Sequence, residues 1–135
     1  MTLRLFLIAL LVGLGPIGCH AREAPDDAFR AFTLAVLAHQ KDLAWEHLSH
    51  ESQVAMTAAL GGASAAAPGM TPKDPKDLLF GGDVGLARPL DKVTIVDENA
   101  SEAQLSVDAA GQIHRVRMVL EDGRWKLDLT DGLKL

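Results

Sequence analysis

The chain has 135 residues, with 13 Lys and Arg against 18 Asp and Glu, one Cys, no Tyr and a formal net charge of −5. That length allows one domain. No basic cluster stands out beyond Arg115 and Arg117, which argues against nucleic acid as a partner, because binding phosphates needs concentrated positive charge. The same balance argues against electrostatic adhesion to anionic lipid.

Arg4 is the single charge ahead of Leu5 to Ile17, a run made wholly of apolar residues, Gly and Pro. A short positive region, an apolar stretch of about 7–15 residues and then small residues form a secretory signal. The run is too short for a transmembrane helix, which needs ~20 apolar residues. Gly13, Gly15 and Pro16 also weaken its second half as a helix. Residues 1–18 are therefore read as a signal peptide outside the fold. Removing them takes Arg4 away and moves the net charge from −5 to about −6.

Gly15-Pro16-Ile17-Gly18-Cys19 resembles a bacterial lipobox, in which a small residue precedes a Cys that receives diacylglycerol. Gly18 and Cys19 fit the pattern, and Pro16 stands where Leu is usual. The resemblance implies that Cys19 is the lipidation site and the first residue of the mature protein. The other reading is an ordinary cleaved signal that leaves Cys19 as a free thiol. As the only cysteine, Cys19 has no partner for an internal disulfide, and a lone thiol in an oxidising compartment is a liability. One acyl chain holds a protein to a bilayer marginally, and two hold it firmly, at ~0.8 kcal/mol per buried CH₂. His20 follows the cysteine in place of Asp. In a Gram-negative lipoprotein that implies passage to the outer membrane. The expected location is the bacterial cell envelope, lipid-anchored and facing the periplasm.

Residues 19–24 form a short polar tether, and Pro25 opens a helix. Pro is favoured at the first helical position, and Asp26 and Asp27 suit the positive end of the helix dipole. Phe29, Phe32, Val36 and His39 recur at spacings of three and four, with Leu34 and Leu37 widening the stripe, as in an amphipathic helix. A second helix is expected from Asp42, as N-cap, to His47 or Leu48. A third is expected from Ser49, as N-cap, to about Leu60, with Val54, Ala55, Ala58 and Ala59 inward and Gly61-Gly62 ending it. Residues 61–75 read as a flexible Ala/Gly/Pro loop. Such a length is unusual in a compact domain, and it is taken as tolerated length ahead of a mobile lid. Pro75 to Phe80 adds one helical turn closed by Gly81-Gly82.

From Asp91 the apolar period becomes 2. Val93 and Ile95, then Ala103, Leu105 and Val107, then Val116, Met118 and Leu120, and finally Trp125, Leu127 and Leu129 mark four strands. Turns are expected at 97–101, Ala110-Gly111 and Asp122-Gly123, the last a strong hairpin signal. The strands make an antiparallel meander with one apolar face, which the helices must cover. The fold class is α+β, with N-terminal helices packed on a curved four-stranded antiparallel sheet.

Pro25-x-x-Ala28-Phe29-x-x-Phe32, Lys41-Asp42-Leu43-Ala44-Trp45-x-x-Leu48 and Glu121-Asp122-Gly123-Arg124-Trp125-Lys126-Leu127 carry a further resemblance. The pattern resembles the NTF2-like, cystatin-like superfamily, and within it small bacterial lipoproteins of unassigned function. It assigns residues 25–135 to one such domain. The resemblance implies a cone in which the sheet wraps the first helix around a pocket, with Phe32, Val36, Trp45, His114, Met118 and Trp125 as candidate lining. Domains of that superfamily often dimerise through the outer sheet face. Here that face carries Arg115, Arg117, Arg124 and Lys126 beside Glu102, and a dimer is left open.

Enzymes of that superfamily use an Asp or His inside the cone, often with a Tyr that polarises a carbonyl. Without Tyr the usual oxyanion donor is missing. Alternation puts His114 on the side of Val116, Met118 and Leu120, where it could serve as a general base. The alternative is a rim histidine, hydrogen-bonded or solvated. His47-Leu48-Ser49-His50-Glu51 looks like a zinc-peptidase pattern with its last two positions exchanged. Ser49 breaks the helix there, so a tetrahedral ligand set is not expected. No G-x-S-x-G, C-x-x-C or P-loop signature occurs, and Gly81-Gly82-Asp83-Val84-Gly85 lacks the context for phosphate. No cofactor, metal or catalytic residue is assigned. The favoured reading is a non-catalytic, lipid-anchored envelope protein that binds a small ligand or a protein partner. The other is a small acid/base enzyme, an isomerase or hydrolase, using His114.

Overall fold

The computed structural model describes residues 22–80 and 89–131. The lipobox, its cysteine and Gly81-Gly82 lie outside the described residues. The architecture is α+β: α1 (Pro25–Leu37), α2 (Lys41–Glu46), α3 (His50–Ala66), a 3₁₀ turn (Pro75–Phe80), then β1 (Lys92–Glu98), β2 (Glu102–Ala109), β3 (Gln112–Glu121) and β4 (Arg124–Asp128). The four strands pair antiparallel in the order β1-β2-β3-β4. Among the described residues, no helix is long and apolar enough to cross a membrane.

Sheet register follows the alternation. Val107 faces Val93, Leu105 faces Val116, Met118 faces Leu127 and Leu120 faces Trp125, all on the apolar side. Both tight turns at the ends of β3 use left-handed pairs, Ala110 and Gly111 (φ 53° and 75°) and Asp122 and Gly123 (φ 50° and 78°). Positive φ at both central residues gives the turn whose twist matches that of the strands it joins. The register shifts between Ile95 and Asp97, so Val96 is an extra residue that bends β1.

α1 lies on the apolar sheet face and meets both β4 and β1. Phe32, Ala35 and Val36 are sealed in the core with Leu48, Leu79, Leu105, Met118 and Leu127. Leu34 and Leu37 are exposed, at 65% and 39%, so they do not widen the buried stripe. They lie on the flank that the sheet does not reach. The helix ends before His39, which takes φ 55° and stacks on Phe80 with ring centres 5.6 Å apart.

The second helix begins earlier than predicted, and Asp42 is not its N-cap: Gln40 holds that position without a side-chain bond. Asp42 pairs instead with Lys76, and Lys41 pairs with Asp77, so two crossed ion pairs tie α2 to the 3₁₀ turn. In α3 the N-cap is Ser49, as predicted, but the buried face is Ser52, Met56 and Leu60. Val54 is 54% exposed. A stripe spaced by four that starts at a serine is buried in place of the Ala-rich positions. Gly61-Gly62 do not end α3, which continues through Ala63–Ala66 inside the expected loop. Two glycines cost a helix ~1 kcal/mol each, and the alanine-rich flanks offset that cost. Pro68 provides the stop: the residue before a proline is pushed out of the helical region, and Ala67 has φ −138° and ψ 75°.

Candidate functional site

The segment between α2 and α3 pairs with the sheet. The Leu127 N–H donates to the His47 carbonyl and the Ser49 N–H to the Leu127 carbonyl, both at 2.8 Å, making a parallel bridge of Leu48 with Leu127. This short segment covers the edge of β4, where unpaired backbone groups would otherwise be open. It also delivers the start of α3 to the sheet. Ser49 Oγ accepts from the Ser52 N–H at 3.1 Å, and the Glu121 carboxylate on β3 accepts the His50 N–H at 3.1 Å. Two otherwise unpaired donors of the helix end are satisfied this way.

The polar centre of the molecule grows from that junction. Ser49 Oγ donates to Ser52 Oγ at 2.8 Å. Ser52 is fully buried, and its Oγ accepts the Leu129 N–H at 2.7 Å and donates to Asp128 Oδ1 at 3.3 Å. Asp128 Oδ1 also accepts the Thr130 N–H at 2.9 Å and the Thr130 hydroxyl at 2.7 Å. Asp128 Oδ2 accepts from Arg117 Nη1 at 3.0 Å, and Arg117 Nη2 donates to Glu102 Oε1 at 2.5 Å. An open hollow of about 330 Å³ lies beside this network, bordered by Ser49, Glu51, Ser101, Glu102, Arg117 and Glu121 among others.

Electrostatics fit a holding role for Asp128. Burial alone would raise its pKa. The Thr130 N–H and hydroxyl, the Arg117 guanidinium and the Ser52 hydroxyl outweigh that, and the carboxyl ends below its ordinary value. Arg117 is shifted up, first by its bond to Glu102. A carboxylate with both oxygens occupied and a depressed pKa is a poor proton acceptor near neutrality, where a general base is best matched to its task. His47 is half-buried, and its pKa is lowered by burial first and then by Lys126.

Among the described residues, those predicted to line a pocket do not share a cavity. Phe32, Val36, Met118 and Trp125 are 0–3% exposed and belong to the packed core, with Trp45 half-buried against it. Trp125 borders a small hollow of about 110 Å³ with Glu23, His47 and Arg124; the other five candidates border none of four surface cavities among the described residues. His114 has the predicted parity, opposite the buried Val107, yet it is exposed. The first residues of β3, Gln112 to Arg115, are all exposed, because β4 pairs only from Arg117 onward and leaves this end of β3 as a sheet edge. His114 is a rim residue. Neither the Asp128 network nor the parallel bridge was predicted. The clue to the first was Ser52, a hydroxyl four residues ahead of Met56 on the buried stripe.

Among the described residues, no group of three or more His, Cys, Asp or Glu side chains is placed to hold a metal ion. Comparison with known proteins finds no matching family model, no matching curated protein and no matching solved structure.

Proposed function

We infer that this is an exported, lipid-anchored protein of the bacterial envelope whose single domain, an NTF2-like α+β unit, is a non-catalytic interaction module. The anchoring part rests on sequence: an apolar run too short to span a bilayer, ending in Gly18-Cys19, the only cysteine of the chain. The observation that carries the non-catalytic part is the filled interior. Phe32, Leu105, Met118 and Leu127 occupy the space between α1 and the sheet, where a ligand cone would open. With His114 on the rim and Asp128 fully engaged, the described residues offer no buried acid/base pair. The better-supported partner is therefore a protein of the envelope that meets the outer surface, ahead of a small ligand held inside.

Replacing Cys19 with Ser tests the anchor. The variant moves from the membrane fraction to the soluble fraction, or accumulates with its leader attached. Unchanged membrane association together with an unchanged N-terminal mass overturns the reading. Native mass spectrometry of residues 20–135 tests the filled interior: the domain is expected at its bare mass, and a retained small molecule contradicts it.

A further inference from the structure

The chain enters the fold at a defined place. Arg22 lies over the Trp125 ring, with its guanidinium carbon 5.7 Å from the ring centre. Glu23 borders the hollow formed with Leu43, Glu46, Arg124 and Lys126. Pro25 is fully buried, and the Ala28 N–H bonds to the Ala24 carbonyl at 3.1 Å. The tether expected over residues 19–24 is thus engaged with the domain from Arg22 onward. Only His20 and Ala21 separate Arg22 from Cys19. Three Cα-to-Cα steps span at most about 11 Å when fully extended.

We propose that the side of the domain carrying Arg22, Arg124 and Lys126 is seated on the anionic headgroups of the membrane that holds Cys19, so that the opposite end of the sheet is held away from the bilayer. The proposal rests on the lipid-anchor reading. Its first support is length: a spacer this short brings Arg22 to the headgroup layer. Its second is charge. Arg22, Arg124 and Lys126 are far apart in sequence, and the fold gathers them at the point where the chain leaves. Lys126 donates to the Glu46 carbonyl, which fixes its ammonium at the rim of the hollow. Against them stand Glu23, Glu46 and Glu121, the last paired across from Arg124, so the patch is near neutral and the chain's net charge of −5 lies elsewhere. Cations at a headgroup surface are attracted to anionic lipid over about a Debye length. The acyl chains supply the hold, and the three cations set the orientation.

The far end is well removed. β3 runs from Gln112 to Glu121, and nine steps along an antiparallel strand cover about 30 Å. Gln112 therefore reports the end away from the hollow, and Leu43, 44% exposed on its border, reports the near end.

The test uses the full-length lipidated protein with Leu43→Cys or Gln112→Cys, labelled with a fluorophore and reconstituted into phosphatidylethanolamine–phosphatidylglycerol vesicles carrying a headgroup nitroxide quencher. The expected result is loss of most emission from the Leu43→Cys label and none from the Gln112→Cys label. The contrast should shrink when Arg124→Gln and Lys126→Gln are added, with flotation on the vesicles unchanged. Equal quenching of the two labels in protein that floats overturns the seated orientation and leaves the anchor standing. Protein that does not float, with Cys19 itself taking up the fluorophore, overturns the anchor and the orientation together.

Discussion

The two halves of β3 share one alternation and have opposite fates. Met118 and His114 point to the same face, four residues apart, yet Met118 is 1% exposed and His114 stands in solvent. Met118 lies under α1 and beside Leu127 of β4. His114 lies past the end of β4, whose pairing with β3 stops at Arg117, so this stretch of β3 is a sheet edge, while Val107 opposite it on β2 stays buried. A period of two decides which face a side chain takes; whether a neighbouring strand flanks it decides whether it is buried there.

That contrast can be broken by truncation. Met118→Ala is expected to cost about 2–5 kcal/mol, the range for emptying a filled core site, measured by urea unfolding of residues 20–135. Next in size is Asp128→Ala, which strands the Ser52 and Thr130 hydroxyls and frees Arg117 from one of its two carboxylates. A loss of about 1.5–3 kcal/mol is expected, as for hydrogen bonds to charged groups. The sign with pH follows from the lowered pKa. Asp128 contributes in full above the unfolded carboxyl value of ~3.9, and its contribution fades as pH falls through its lower folded value. Wild type should therefore lose stability in acid more steeply than Asp128→Ala does. Ser49→Ala removes the α3 cap and should cost about 1 kcal/mol. His114→Ala should stay within about 0.5 kcal/mol, as exposed sites do. A cost for His114→Ala close to that of Met118→Ala would contradict an exposed edge position for His114.

Much of this was legible in the sequence, and the misses share a cause. The four strands, their turns and the Phe29, Phe32 and Val36 positions of α1 were readable because alternation and left-handed turn pairs are local signals. Asp122-Gly123 specifies its hairpin without help from distant residues. The burial of Ser52, the partner of Asp42 and the gathering of Arg22 with Arg124 and Lys126 depend on residues 34 to over 100 positions apart. Ser52 looks like a surface residue until Asp128 and the Leu129 N–H supply its bonds. Gly61-Gly62 read as a stop because glycine is a weak helix former. The actual stop lies beyond Ala66, before Pro68.

The anchor proposed for this domain is a lipid on Cys19. The most direct measurement is the intact mass of the protein extracted from membranes with detergent. The expected species is a chain that begins at Cys19 and carries the added mass of a diacylglyceryl group. A mass that starts at Met1, or a cleaved chain whose Cys19 remains an unmodified thiol, contradicts it.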